Sequence, residues 1–371
     1  ERKAMPTPTV LISGYHRYPN PPIRLAFRIF ALIITYVLKR GNLMKLALYL
    51  PNFRDKISVD EIDELAKVAE ELEFDSLWTL DRIVVPESSD RGELIKSFGT
   101  MKEMPNQLPV TSRGEWLQGP PLIPYLAAIT KKIRLGVSVI VTPFRAPAIM
   151  ASEIATWDQL SRGRINVGVG AGWMPEEFQA TGATHIYKKR NKHVRETIEV
   201  MQGIWRNEVF EYDGEFASFE KCGFGAKPLQ KPRPPMYFSG LVNPEVAAKR
   251  VAKYGLDGWI GIMDTPEAIS TWKSAIGEEL KKTEGGHNID DLEISSMMPF
   301  EITKDKTDQT SNGKLTPTMV GTVDQITTNL SRYKESGMTM PMLWPPFSGT
   351  PTEKTIEDLR RLTYDIMPKI S

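Results

Sequence analysis

Apolar and polar residues follow two alternating patterns along most of the chain. Short apolar or β-branched runs are each followed by a segment in which apolar residues recur every three or four positions. Runs of the first kind are typical of strands buried on both faces, and segments of the second kind are typical of amphipathic helices. From residue 44 onward this order repeats eight times, so the pattern predicts alternating strands and helices.

The clearest example is the stretch that begins near residue 134. Residues 134–141 are predicted to form a strand, and Pro147 begins a helix that ends near Gly163. A second strand follows over residues 165–172. The apolar residues expected on the buried face of the helix are Ile149, Ile154, Trp157 and Leu160.

Three glycines, Gly168, Gly170 and Gly172, occupy alternate positions of that second strand. They share one face, so something large can approach the backbone there. Pro175 suits the first turn of the next helix, and the free amides expected just before it form a ready phosphate site. Close packing between strand and helix explains the same glycines, and both interpretations stay open.

Eight strand–helix units without a break in composition favour the α/β class and a (β/α)8 TIM barrel with insertions. An open, doubly wound sheet is the alternative. We predict one barrel domain over residues 44–371. The long polar segment 84–118 is expected to be a lid, a binding loop or an insertion, and residues 304–318 a mobile loop.

Residues 1–43 do not match the pattern that follows, and we predict an N-terminal extension outside the barrel core. Its apolar stretch, residues 25–38, is interrupted by Arg28 and is too short to span a bilayer. An interfacial anchor or a poor signal-like segment is the alternative.

Composition narrows the function classes. The chain has 371 residues and a net charge of +1, which gives no argument for nucleic acid or for an anionic membrane. The single cysteine, Cys222, rules out an intrachain disulfide framework and fits a reducing compartment, so we expect a cytoplasmic protein. The four histidines do not stand in a metal-ligand spacing, and no metal site is expected.

The active site of such a barrel lies at the carboxyl ends of its strands. The residues expected there are mostly apolar, aromatic or glycine, with few titratable groups, and no catalytic-triad, HExxH or P-loop motif occurs. Such a site suits a bound planar cofactor that carries the chemistry itself. Asp81 and Arg82 follow the second strand, where they either act on the substrate or form a surface ion pair. Trp173 is either a wall of the pocket or a core residue.

Arg190 lies at the start of a helix, where a cation opposes the helix dipole. It therefore needs an anionic partner, for which Glu176, Glu177 and a phosphate are the alternatives. The two glutamates favour the start of their own helix but would repel a phosphate nearby.

Residues 134–182, RLGVSVIVTPFRAPAIMASEIATWDQLSRGRINVGVGAGWMPEEFQATG, resemble the luciferase-like monooxygenase superfamily, in particular its coenzyme F420-dependent oxidoreductases. The resemblance continues through Arg190, Glu196 and Trp205, and it covers the chain from Met44 to about Pro368. It implies the bacterial luciferase-like form of the (β/α)8 barrel.

The resemblance also implies site residues. A non-prolyl cis peptide in a bulge of the third strand matches Ser138-Val139 and would back the cofactor ring. Backbone amides after the fourth and fifth strands would hold the cofactor phosphate, and an acid after the second strand would lie beside the ring. We predict Asp81, Arg82 and Trp173 as catalytic. The predicted cofactor-binding residues are Asp81, Ser138, Val139, Gly170, Ala171, Gly172, Glu176, Ser239, Gly240 and Leu241.

Two departures from the family pattern matter. Many deazaflavin relatives have Asp-His after the second strand, whereas this chain has Asp81-Arg82. The sugar-phosphate dehydrogenase branch has a glutamate proton donor where this chain has Trp173, so that branch's substrate is not transferred. Arg82 is a poor proton shuttle because it does not deprotonate, and it would instead orient an anionic substrate or the cofactor tail.

The predicted function is F420-dependent hydride transfer to or from a small organic substrate. An FMNH2-dependent monooxygenase that uses O2 is the alternative, and a non-catalytic flavin-binding barrel is a third. We further expect a small-molecule substrate, a separate flavin or F420 reductase as partner, and a homodimer. Neither nucleic acid nor stable membrane insertion is expected.

Overall fold

The computed structural model describes residues 44–54, 57–87, 112–239, 243–283, 288–311, 314–315, 317–346 and 350–370. The strands are β1 (Ala47–Tyr49), β2 (Ser76–Thr79), β3 (Arg134–Val141), β4 (Ile165–Gly170), β5 (Val209–Asp213), β6 (Ser218–Gly223), β7 (Met236–Phe238), β8 (Gly258–Ile262), β9 (Glu293–Ile302), β10 (Thr310–Ser311), β11 (Lys314–Leu315), β12 (Met319–Gly321) and β13 (Met340–Trp344). The helices are α1 (Val59–Glu71), α2 (Gly119–Ile129), α3 (Pro147–Ser161), α4 (Pro175–Ala180), α5 (Arg190–Arg206), α6 (Pro244–Tyr254), α7 (Pro266–Leu280), α8 (Val323–Glu335) and α9 (Thr352–Arg361).

Eight of these strands form a closed parallel barrel. Their order is β1-β2-β3-β4-β7-β8-β9-β13, and β13 pairs with β1 to complete the circle. Helices lie between successive strands. The predicted (β/α)8 barrel is therefore confirmed, and the open sheet is excluded because such a sheet has two free edges.

Local sequence explains where several helices begin. The Ser58 side chain accepts a hydrogen bond from the amide of Glu61, whose own carboxylate accepts one from the Ser58 amide. This reciprocal capping box satisfies amides that the first turn leaves free. Thr322 and Gln325 form the same arrangement at the start of α8.

The barrel interior is filled by large side chains. These interior side chains form a cluster that is separate from the apolar layer between strands and helices, and its member Trp78 is completely buried. The members of the interior cluster are Ala47, Tyr49, Trp78, Tyr237, Ile260, Met297, Met340 and Met342. A packed interior leaves the carboxyl-end mouth as the place where a ligand can bind.

The predicted buried face of α3 is partly wrong. Ile154 is buried, but Ile149 and Leu160 are each 60% exposed. The helix instead turns Ala151 and Ala155 towards the barrel, since small side chains let its backbone approach the strands closely. Apolar spacing alone did not distinguish these two faces.

Two predicted loops have a mixed outcome. Residues 304–318, predicted to be a mobile loop, contain the antiparallel pair β10–β11, and β12 follows as a parallel neighbour of β9. Most of the segment 84–118 and the whole predicted extension 1–43 lie outside the described residues.

None of the helices in the described ranges is long and apolar enough to cross a membrane.

Candidate active site

The third strand carries a bulge at the mouth of the barrel. The Ser138-Val139 peptide bond is cis, and the register between β3 and β4 shifts between Val137 and Ile140. Tyr49, inside the barrel, donates its hydroxyl to the Ser138 carbonyl over 3.1 Å, and burial raises the pKa of that phenol well above its usual value. Tyr49 therefore stays protonated as a donor, and the predicted position of the cis bond is confirmed.

The glycine face of β4 accommodates this bulge. A Cβ on Gly168 would come under 3.0 Å from the Val137 carbonyl oxygen, and one on Gly170 would come equally close to the Val139 side chain. The sequence suggested an approaching ligand or a packed helix. At Gly168 and Gly170, the group that approaches is the neighbouring strand of the same chain.

Replacing Gly168 by alanine is expected to destabilise the protein by about 1–3 kcal/mol, because the new methyl group meets a backbone oxygen that cannot swing away. Chemical denaturation of the variant and the parent measures this difference. Gly225→Ala is the matched control, since nothing lies within 4 Å of its Cβ position, and it should change stability by less than about 0.5 kcal/mol. Equal stabilities for Gly168→Ala and the parent would contradict the close approach.

Asp81 is bound to the far end of β3. Its carboxylate accepts the amide of Val141 at 2.9 Å and two guanidinium nitrogens of Arg145 at 2.6 and 3.0 Å. The Asp81 side chain is fully buried and that of Arg145 is 19% exposed. Asp81 thus fixes the strand end that follows the bulge, and its ion-pair partner is Arg145 rather than its neighbour Arg82.

Arg82 forms a second buried ion pair. Its Nη1 lies 2.5 Å from the carboxylate of Glu177, with side-chain exposures of 9% and 1%. Glu177 also accepts the amide of Ile83 at 2.9 Å. Burial raises the pKa of Glu177, while Arg82 and this amide oppose the shift. The Arg82 guanidinium lies 5.7 Å from the Phe53 ring centre and 5.5 Å from that of Trp173, so the ion pair is held between two aromatic rings.

A surface ion pair between Asp81 and Arg82, one of the two alternatives for these residues, is therefore excluded. Arg145 and Glu177, which complete the two ion pairs, were missed as site residues. The only indication in the sequence was that Glu177 opens a helix just beyond β4, where it was considered as a partner for Arg190. Arg190 instead donates to the Tyr187 carbonyl at 2.8 Å and lies over the Tyr187 ring.

The residues predicted to hold the cofactor phosphate after β4 and β7 differ from one another in backbone conformation, burial and hydrogen bonding. Gly172 has a φ of +70°, a left-handed conformation that favours glycine, and Ala171 beside it is half-buried. The Ser239 amide already donates to the Val169 carbonyl at 3.2 Å. Gly240 and Leu241 lie outside the described residues, and Glu176 is half-buried at the start of α4.

Asp264, beyond the end of β8, is among the residues expected at the carboxyl ends of the strands, but not among the predicted catalytic or cofactor-binding residues. Burial raises its pKa to about 6, although its carboxylate accepts the Ser296 hydroxyl at 2.8 Å and the Trp272 indole at 3.1 Å. Ser296 alternates with the interior residue Met297 and so faces the helix layer. Asp264 therefore ties the loop after β8 to the outside of the barrel.

The accessible part of the mouth is apolar and aromatic. Val139, Trp173 and Trp344 are half-buried, whereas Trp78 and Trp259 are core residues. The Trp344 ring packs against the Tyr49 ring at a centroid distance of 5.4 Å. In the described part of the chain, no three His, Cys, Asp or Glu side chains gather closely enough to hold a metal ion.

Comparison with known proteins defines the family. The model of the luciferase-like monooxygenase family matches residues 44–312, and the chain belongs to this family. An uncharacterised protein of Mycobacterium tuberculosis is 37% identical over 134 residues, covering 36% of this chain and 46% of that protein. The FMNH2-dependent dimethylsulfone monooxygenase of Pseudomonas putida is 34% identical over 116 residues, covering 31% of this chain and 32% of the monooxygenase. The matches thus span less than half of these curated relatives.

Solved structures agree with the barrel fold. An F420-dependent secondary alcohol dehydrogenase, solved with an F420-acetone adduct, superposes with a TM-score of 0.66 and 18% identity. The superposition covers 88% of this chain and 99% of that one. At this identity the likeness shows a shared fold.

Proposed function

We propose that this chain is an oxidoreductase that binds a flavin-type cofactor across the carboxyl-end mouth of its barrel. The observation that carries the proposal is the bulge at Ser138 and Val139, which is held from below by Tyr49 and from the side by Asp81. The bulge gives the mouth a fixed apolar edge, with the half-buried Trp344 beside it. A flat aromatic ring fits such a surface.

The acidic side chains at the mouth favour a cofactor that carries the chemistry itself. Asp81, which binds the strand end after the bulge, and Glu177, whose partner Arg82 lies over Trp173, are each bound in a buried ion pair. Neither carboxylate is placed to exchange protons freely with a substrate. The protein's own contribution is then to hold the ring, orient the substrate and exclude water.

Two cofactors are candidates, a deazaflavin of the F420 type and reduced FMN. When bound, the first supplies hydride transfer to or from a small organic substrate, and the second supplies reaction with O2. The resemblance of residues 134–182 to the F420-dependent oxidoreductases supports the first candidate. The second is supported by the higher sequence identity to an FMNH2-dependent monooxygenase, and it requires a separate reductase to supply the reduced flavin.

Titration of the purified protein with F420 and with FMN, each oxidised and reduced, separates the candidates. Saturable binding of F420 without a response to FMN, followed by the fluorescence of the ring, is the expected result. Oxygen uptake that depends on FMNH2 would select the second candidate. Trp344→Leu is expected to weaken binding of the ring, while Leu160→Ser on the exposed face of α3 should not. Binding of neither ring would overturn the proposal.

A further inference from the structure

Within the described residues, the guanidinium of Arg82 forms hydrogen bonds through only one of its three nitrogens. Its Nη1 atom donates to the carboxylate of Glu177 at 2.5 Å and lies 4.0 Å from the sulfur of Met174. The Nε atom is buried without a hydrogen-bond partner, and Nη2 donates to none of the residues that the structure describes. The side chain is only 9% exposed and its charge is permanent, so these N–H groups need an acceptor.

The unbonded nitrogens form one edge of the guanidinium. The N–H of Nε and one N–H of Nη2 are parallel in the planar group, and their spacing matches the two oxygens of a carboxylate. Glu177 is bound to Nη1 and does not occupy this edge. Because an unsatisfied buried donor costs free energy, a ligand that supplies paired acceptor oxygens to Arg82 is favoured.

Two aromatic rings place the guanidinium of Arg82 at the mouth of the barrel. Phe53 follows β1 and Trp173 follows β4, and the strands β2 and β3 lie between β1 and β4 in the barrel. The guanidinium carbon is 5.7 Å from the centre of the first ring and 5.5 Å from that of the second. A group that reaches both rings lies across the carboxyl ends of β2 and β3. The rings also supply apolar walls for the body of a ligand.

The backbone of Arg82 is held in place from the other side. Its carbonyl accepts the indole N–H of Trp116 at 3.2 Å and the side-chain amide of Gln118 at 2.7 Å. The Trp116 ring in turn packs edge-on against Phe53 at a centroid distance of 5.8 Å. An arginine that is already fixed loses little conformational freedom when a ligand binds, so its donors can select between ligands.

The acids beside Arg82 do not supply the missing acceptor. The carboxylate of Asp81 binds two nitrogens of Arg145 and a backbone amide. Glu177 accepts two backbone amides in addition to its bond from Arg82, so its negative charge is shared among three donors. Arg82 therefore keeps one edge, and part of its positive charge, for a ligand.

We propose that the Nε and Nη2 atoms of Arg82 bind the carboxylate of the substrate, and that the substrate is a small organic acid whose apolar body lies against Phe53 and Trp173. The inference rests on the proposed function, since substrate and cofactor ring share the mouth. Arg82 orients the acid and exchanges no proton with it, because its guanidinium does not deprotonate.

Benzoate and benzamide test the site as a matched pair of probes. They share a planar ring, and only benzoate carries the charge and the two equivalent oxygens. Calorimetric titration of the full chain should show benzoate binding about 5- to 30-fold more tightly than benzamide. Cyclohexanecarboxylate and its amide repeat the comparison on a saturated ring. If neither acid binds more tightly than its amide, the proposal is wrong.

Replacing Arg82 by lysine tests the paired donors. Lysine keeps a positive charge beside Glu177 but presents no two parallel N–H groups, so the ratio of acid to amide affinities should fall to about threefold or less. Arg206→Lys is the matched control, since it makes the same change at an exposed arginine that ends α5, and it should preserve the ratio. An unchanged ratio in Arg82→Lys would contradict the assignment.

A second variant covers the case in which Arg82→Lys does not fold. Arg82→Met combined with Glu177→Leu leaves no unpaired buried charge. This double variant should bind benzoate no more tightly than benzamide. A preference for benzoate that persists in it would place the acid elsewhere.

Competition with the cofactor distinguishes a substrate from the cofactor's own anionic tail. Benzoate should still bind to protein saturated with FMN. Displacement of benzoate by FMN, but not by riboflavin, would show that Arg82 holds the tail and would overturn the substrate assignment. With F420 as cofactor, the deazaflavin without its anionic tail takes the place of riboflavin.

The two proposals fail in different ways. Ring binding without any preference for a carboxylate overturns the present inference and leaves the proposed function in place. A preference for benzoate that depends on Arg82, in a protein that binds neither FMN nor F420, overturns the proposed function and keeps Arg82 as a carboxylate-binding residue.

Discussion

Replacing Asp81 by alanine is expected to lower the free energy of unfolding by about 3 kcal/mol and to abolish cofactor binding. The substitution leaves the largely buried Arg145 without its partner and removes the acceptor for the Val141 amide. The end of β3 then loses the contact that fixes it after the bulge. Denaturant unfolding measures the first effect, and fluorescence titration of the ring measures the second.

A double variant separates the effect of an unpaired Arg145 charge from the effect of a displaced end of β3. Arg145→Met together with Asp81→Ala should recover part of the lost stability, because no unpaired charge remains, but cofactor binding should stay weak. Glu87→Gln is a matched control, since its ion pair with Arg113 is 3.9 Å long and almost fully exposed, and its loss should cost less than about 1 kcal/mol. Normal binding by Asp81→Ala would show that the strand end does not depend on this carboxylate.

Replacing Glu177 by alanine is expected to cost about 3–5 kcal/mol, the largest effect among the substitutions considered. Arg82 is more deeply buried than Arg145, with side-chain exposures of 9% and 19%, and the loss of Glu177 leaves both the Arg82 guanidinium and the Ile83 amide without their acceptor. Arg82 should then move from its place between Phe53 and Trp173, which deforms the wall of the mouth. A lower denaturation midpoint and weaker ring binding are the expected measurements.

The pair Arg82→Met and Glu177→Leu tests whether the charges serve stability or the site. Apolar residues of similar size in place of a buried ion pair are often neutral or stabilising, so this double variant should recover most of the stability lost in Glu177→Ala, apart from the cost of the Ile83 amide, which still lacks its acceptor. If Arg82 orients an anionic substrate or the cofactor tail, binding should remain impaired despite the restored stability. Full binding by the double variant would assign the ion pair a purely structural role.

The general architecture was predictable because its determinants are local. The spacing of apolar residues, the caps such as Ser58 with Glu61, and the turn at Asp213-Gly214 each depend on residues a few positions apart. The Asp213-Gly214 dipeptide, which is typical of tight turns, ends β5 and begins its connection to β6. The cis peptide at Ser138-Val139 was expected from the family resemblance rather than from any local pattern.

The site was less predictable because its partners are distant in the chain. Asp81 and Arg145 are 64 residues apart, and Arg82 and Glu177 are 95 residues apart. No periodicity relates such positions, so the sequence indicated charged residues at strand ends without indicating which would pair. The exposure of Ile149 and Leu160 on α3 is a similar case, since two helix faces carried enough apolar character to face the barrel.

The sequence by itself determined the order of strands and helices, the start of most helices and the membership of the family. Those features follow from short-range preferences and from motifs that a family model matches directly. Only the tertiary structure decided that Val139 fills the space over the glycines of β4, and that Asp81 and Arg82 bind different partners. The physical reason is closure of the barrel, which brings the carboxyl ends of separate strands together. Which charged residues pair then depends on their distance in space and not on their separation along the chain.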